Sequence, residues 1–487
     1  MIWNLRRTMR TGGVLLLLAA PVGAEPVRWE SRDFPRAAAA TPVGGQVRLE
    51  NVLVAENGEP AAFVLERFQV FTEDARITVH GDGGVETVLP APAHTYFRGV
   101  IDGRPGSRVF LTVMADGATR GVASDADGFH LIGGDGAKAL AKGPLEMRRV
   151  DPVLLKAASG KGFSCGNEKL PPAPPTFEDL VGTAAPASAF DEKALPSYTA
   201  RVAIETDYEF YQQFNSTSAA TSYVADLIGF ASTIYSVEIN TSLVVQSLSL
   251  WTTNSDPWAQ TSTVCGLLEF GNYWNANRTG VSRTIAHFLS GKGNGGGVAW
   301  LGVLCSGQFS VNQAQFGVSC PGLPASGNLG GDYGYTGNIE GSFDIGNPSI
   351  VWDIMAVSHE IGHNFNSPHT HCYGNIGGNA NPVDSCFNGE CGSTGCSCAT
   401  EALPGPAGVG SGTIMSYCHL FRGSFTDLSL TFGTSHPFGV APGRVPSRMT
   451  SHVQSRASSN PSCLAYTAGP SAIFTDGFEA GTMAPWQ

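Results

Sequence analysis

The stretch "HEIGHNFNSPHTHC", residues 359–372, holds His359, Glu360, His363, His369 and His371. His359 and His363 are one helical turn apart, so on a helix both imidazoles leave the same face and can reach one ion. Glu360 sets a carboxylate beside them. Zinc prefers tetrahedral coordination, and with His369 as third protein donor a fourth position is left for water. For His369 to return to the same ion the helix must stop soon after His363. Asn366 tolerates the left-handed backbone that ends a helix, and Pro368 prevents its continuation. His371 would compete with His369 for the same space and is expected to be structural or at the surface.

Such a cluster needs a rigid helix and a scaffold beneath it. "ARVAIE" reads as a buried strand, and Val224, Leu227, Ile228, Ala231, Ile234 and Tyr235 then recur at helical spacing. "SLVVQSLSLW" is the next strand, Ile285, Ala286 and Leu289 are predicted to lie on a second helix, and "GGGVAWLGVLC" follows as a strand. Residues 350–365 form the helix that carries the histidines. Alternating strands and helices describe an α/β unit. Upstream, residues 28–135 read as short alternating strands such as "FVLERFQVF", a β-rich N-terminal domain. "PPAPP" and the alanine-rich stretch to Lys193 have the composition of an exposed linker, and a domain boundary is expected there.

Arg6, Arg7 and Arg10 precede the apolar run from Val14 to Ala20, and Val22 and Ala24 suit a signal peptidase, so export is expected. The run is shorter than the ~20 residues a membrane span requires. A net charge of -12 with 14% charged residues gives no basic footprint for nucleic acid. Eleven cysteines in an exported chain suggest disulfides. Ten lie between Cys265 and Cys463 and are predicted to form five bridges, which leaves Cys165 as the odd thiol.

"HEIGHNFNSPH" resembles the extended zinc motif of the metzincin metalloproteases, in particular the reprolysin or adamalysin branch. "GTIMSYC", residues 412–418, resembles their Met-turn, with Met415 as its methionine. "RVAIETDYEFYQQF" and "GGGVAWLGVLC" are similar to the start and edge strand of that catalytic domain, and "HTYFRGVIDGRPGSRVFLTV" is similar to its pro-domain. The resemblance covers residues 95–465. Asn366 stands where the family usually has glycine, and Thr370 where aspartate is common. The resemblance implies His359, His363 and His369 as zinc ligands, Glu360 as general base in peptide-bond hydrolysis, and Met415 as a floor under the metal. Tyr417 matches a tyrosine that in astacins and serralysins approaches zinc and the oxyanion; a buried hydroxyl bonded to backbone is the alternative. "GGGVAWLGV" would accept extended substrate by backbone pairing. Cys165, in "FSCGNEKL", resembles the cysteine switch whose thiolate takes the fourth zinc position in a precursor. Cys372 and Cys418 flank the histidine helix and the Met-turn and could tie them together.

The expected architecture is therefore an α/β metzincin-like catalytic domain, a twisted sheet with active-site helix and Met-turn, after a β-rich pro-domain. The boundaries are a signal peptide over 1–24, pro-domain and linker with the switch over 25–194, catalytic domain over 195–466 and a tail over 467–487. "IFTDGFEAGTMAPW" in that tail resembles a segment on exported proteins of some gammaproteobacteria. The expected protein is a secreted monomer acting on proteins or peptides, without nucleic-acid partner or membrane span. Zinc is the implied cofactor, and the sequence leaves calcium open. One rival is a zinc-stabilised secreted binding or adhesion protein without catalysis, against which Glu360 argues. Another is a zinc hydrolase of lipid or carbohydrate, against which the edge strand and apparent pro-domain argue.

Overall fold

The computed structural model describes residues 26–133, 145–158, 163–170 and 196–466. The expected signal peptide, the linker over 171–193 and the C-terminal tail lie outside the described residues.

Strand Tyr198–Thr206 runs through the middle of the larger sheet, parallel to Thr241–Trp251 on one side and to Ile285–Leu289 on the other. Ile285–Leu289 continues parallel to Tyr333–Thr336, and Gly296–Ala299 follows antiparallel. Residues 285–289 are thus a strand and not the helix their spacing suggested. All five are buried between two parallel neighbours, and a strand covered on both faces shows a continuous apolar run that mimics a buried helix. The helix in this region is Thr263–Asn277, started by the Ser262 hydroxyl accepting from Cys265 N–H.

The long helix Thr217–Glu238 is capped by the Ser216 hydroxyl accepting from Ala219 N–H at 3.3 Å. Every residue from Ala220 to Tyr235 is buried, so the helix has cover on all sides, its polar residues included. The sheet covers one side and the N-terminal region another.

That N-terminal region makes a mostly antiparallel sheet of eight strands, from Val27–Glu30 to Glu146–Arg149, with its own core around Phe63, Phe97, Leu111 and Met147. It does not keep its strands to itself. Phe71–His80 pairs in parallel with Thr241–Trp251, and Glu86–Leu89 pairs with Phe71–His80, so this hairpin extends the larger sheet. At the opposite edge Ser164–Cys165 lies parallel to Gly296–Gly297. Both features were hidden in the sequence, because apolar alternation identifies a strand without naming its neighbour.

The helix Ser349–Asn364 carries the histidines and is buried along its whole length. Asn366 has φ 75°, its N–H donates to His363 O at 2.8 Å, and Ser367 N–H donates to Gly362 O at 3.1 Å. These two bonds around a left-handed residue are the Schellman termination, so Asn366 ends the helix as its residue type predicts. Residues 372–411 are irregular. Five disulfides join Cys265 to Cys320, Cys305 to Cys463, Cys372 to Cys396, Cys386 to Cys418 and Cys391 to Cys398; Cys165 is free and buried. The suggested tie between Cys372 and Cys418 is not made. Gly374 N–H donates to Gly395 O at 2.8 Å, which brings Cys372 beside Cys396. Among the described residues no helix is long and apolar enough to cross a membrane.

Candidate metal centre

The Schellman turn sends the chain back so that His369 meets His359 and His363. Each imidazole gives its Nδ1 to an acceptor: His359 to Ile414 O at 2.7 Å, His363 to Ser367 O at 2.7 Å, and His369 to Glu390 Oε2 at 2.9 Å. With Nδ1–H so engaged, each Nε2 is left with a lone pair facing the centre. The Nε2 atoms of His359 and His363 are 3.2 Å apart, and that of His369 is buried with no partner. Cys165 Sγ lies 3.3 Å from His363 Nε2, and the four ligand atoms of Cys165, His359, His363 and His369 all fall within 4.8 Å of one another. Three bare imidazole nitrogens and one thiol, all buried, are a donor set suited to zinc.

The electrostatics agree. Burial first, then the neighbouring imidazoles, pushes His359 and His363 well below the usual histidine range and keeps them neutral, the form that binds metal. Burial pushes the Cys165 thiol and the Glu360 carboxyl up, and the Glu360 charge raises the thiol further. A divalent cation would favour both anions and offset that cost. Glu360 Oε2 stands 3.6 Å from Cys165 Sγ, while Oε1 is buried without a partner.

Two glycines make room. A Cβ on Gly297 would sit 2.3 Å from Glu360 Oε1, so the edge strand must be glycine where it passes the carboxylate. A Cβ on Gly362 would sit 2.6 Å from Met415 Sδ, so the small residue inside the motif lets Met415 seat against the helix.

Residues 197–427 match a reprolysin-type family model described as metallo-peptidase family M12. This segment is similar to the M12 metallopeptidases. The family implies zinc and peptide-bond hydrolysis, and the donor set above fits that metal. Among solved structures, metalloproteinase-II from Bacteroides fragilis aligns at 11% identity over 72% of this chain and 91% of its own, with TM-score 0.33. A chaperone–substrate complex aligns at 13% identity over 36% and 27%, with TM-score 0.24. No curated protein matches the chain.

Within the matched segment Thr370, at the position where aspartate is common, bonds the turn beneath the histidines. Its N–H and hydroxyl both donate to Met415 O, at 3.0 and 3.2 Å. Met415 is fully buried. The Tyr417 hydroxyl accepts from Cys165 N–H at 3.0 Å and lies 2.9 Å from Glu168 Oε1, and its ring packs 4.6 Å from that of His369. His371 is fully buried and turned away from the four-ligand cluster; its Nε2 bonds Glu390 Oε2 and its ring stacks on His369.

Glu390 escaped the sequence reading. Burial raises its pKa, but hydrogen bonds from His369 and His371 outweigh this and hold the carboxyl well below the usual range. One acidic residue in the glycine- and cysteine-rich "NGECGSTGCSC" carries no periodic signal. Asn167 was missed as well. Its Oδ1 accepts from Ala299 N–H at 2.9 Å and lies 3.4 Å from Cys165 Sγ, which ties the segment 163–170 to the edge strand.

Proposed function

We propose that the chain is a secreted zinc endopeptidase made as a latent precursor, with the signal peptide, pro-region, catalytic domain and tail bounded as the sequence suggests. The observation that carries this reading is the convergence of three bare Nε2 atoms and the Cys165 thiol beside the Glu360 carboxylate. Held by His359, His363 and His369, zinc would supply the Lewis acid that polarises the scissile carbonyl.

The protein's own groups do the rest. Segment 163–170 occupies the edge strand in the precursor and must leave before an extended substrate can pair there. Water adds its oxygen to the carbonyl carbon while Glu360 takes its proton; the carboxyl then delivers that proton to the amine nitrogen as the C–N bond breaks. Tyr417, relieved of Cys165 and Glu168, is assigned as a hydrogen-bond donor to the oxyanion. Met415 and Thr370 keep the floor in place.

The test separates base from metal. Glu360→Ala should lower casein or peptide hydrolysis by roughly 100- to 10,000-fold while zinc per chain, measured by mass spectrometry, stays near that of the parent. His363→Ala should lose both metal and activity. Substantial hydrolysis by Glu360→Ala enzyme would sink the mechanism.

A further inference from the structure

The proposed latency raises the question of what has to leave. The N-terminal region and the segment bearing Cys165 hold the catalytic part at opposite edges of one sheet and by different means.

At the far edge the hold is extensive. Phe71–His80 pairs with Thr241–Trp251 from Val245 to Trp251, and the His80 ring stacks on Trp251 at 4.1 Å. Behind the sheet, Ser222, Asp226, Gly229, Phe230 and Ser236 form one stripe of the long helix, and each meets the N-terminal region. Thr112 donates to Asp226 at 2.6 Å, and Arg120 pairs with the same buried carboxylate. His94 bonds Ser222 at 2.9 Å, Arg98 bonds Ser236, and the Phe110 ring lies against Phe230 and the Gly229 backbone. Phe68, Val70, Ile77, Phe110, Val122 and Phe129 share a continuous apolar core with the long helix and the histidine helix. Removing this region would bare that core and strand Asp226 without its cation.

At the near edge the hold is slight. Ser164 and Cys165 make a two-residue ladder, and Phe163, Asn167 and Glu168 add side-chain contacts. This strap reaches the metal centre while the hairpin sits at the other end of the sheet.

We infer that residues 26–158 are a permanent, non-covalently retained subunit of the enzyme, and that activation excises only the strap around Cys165. The inference rests on the latency proposed above. A single cut between 171 and 195 would leave Cys165 attached to the retained subunit; a second cut upstream of Phe163 is needed to release it.

The experiment uses the full chain with recognition sequences for two site-specific proteases, one inserted at 159–162 and one within 171–195. After the downstream cut, two fragments should appear on a denaturing gel and one peak on gel filtration, and casein hydrolysis should stay absent. After both cuts the N-terminal fragment should still co-elute, the strap peptide should be lost, and casein hydrolysis should appear. An N-terminal fragment that elutes apart from a soluble, folded 196–466 fragment overturns the inference. So does full activity after the downstream cut alone. Co-elution without any hydrolysis after both cuts supports the retained subunit and counts against the peptidase reading, so the two failures are distinguishable.

Discussion

Glu390 shows how much a single side chain outside the ligand set can determine. Its Oε2 takes the Nδ1–H of His369 at 2.9 Å and a second bond from His371, so one carboxylate fixes both the tautomer and the tilt of the third ligand. Losing such a partner typically weakens metal affinity 10- to 100-fold. Glu390→Ala should therefore release zinc to a chelator about 10- to 100-fold faster, with Glu390→Gln in between because its amide oxygen can still accept from His369. Equal zinc loss rates for parent and Glu390→Ala would refute this role. Cys165 belongs to the same scale. In precursor carrying Cys165→Ser, hydrolysis or self-processing should begin early, and X-ray absorption at zinc should lack the sulfur neighbour expected in the parent precursor; unchanged latency with only nitrogen and oxygen around zinc in the parent would refute the switch. The convergence of His359, Glu360 and His363 was legible because a helix converts sequence spacing into direction, and the return of His369 because Asn366 and Pro368 mark the turn that ends it. Glu390 was not, because an irregular loop does not.

The helix Ser349–Asn364 also carries a titrating group away from the metal. Asp353 is fully buried and accepts from the Tyr223 hydroxyl at 2.6 Å and from Gly341 N–H at 3.1 Å. Burial outweighs these bonds and pushes its carboxyl up to about 7. Between an ordinary aspartate value of about 4 and about 7, the folded chain keeps a proton that the unfolded chain has lost. Stability is then greatest below this window and declines as pH rises through it, by at most about 4 kcal/mol. Asp353→Asn should flatten that slope in urea unfolding followed from pH 4 to 8, and an unchanged slope would show that Asp353 is not its source. The C-terminal end of this helix was readable from Asn366 and Pro368. Strand Ile285–Leu289 was misread because burial on both faces erases the alternation that distinguishes strand from helix.

Over the whole molecule the disulfides divide into two kinds. Cys305–Cys463 closes 158 residues and Cys391–Cys398 closes 7. Chain entropy alone assigns the long loop about 5 kcal/mol and the short one about 2 kcal/mol. Replacing the first pair by alanine should cost more in unfolding midpoint. Replacing the second should cost more in zinc retention, because its loop begins beside Glu390. If both replacements lowered midpoint and zinc retention in the same ratio, that division would be wrong. The even set of cysteines announced five bridges; their partners depended on backbone approaches such as Gly374 to Gly395, which composition does not encode. The Asn366 turn has a further hold. Arg448, on the helix Arg444–Ser459, donates to Asn366 O at 2.5 Å and to its Oδ1 at 3.1 Å. Residue 448 follows His369 by about eighty positions, roughly 4–16 s of synthesis at cellular rates. During that interval Cys165, His359, His363 and His369 already exist as polypeptide, yet the turn that aims His369 lacks its clamp. The order of translation thus leaves the Asn366 turn without this clamp until Arg448 has been made.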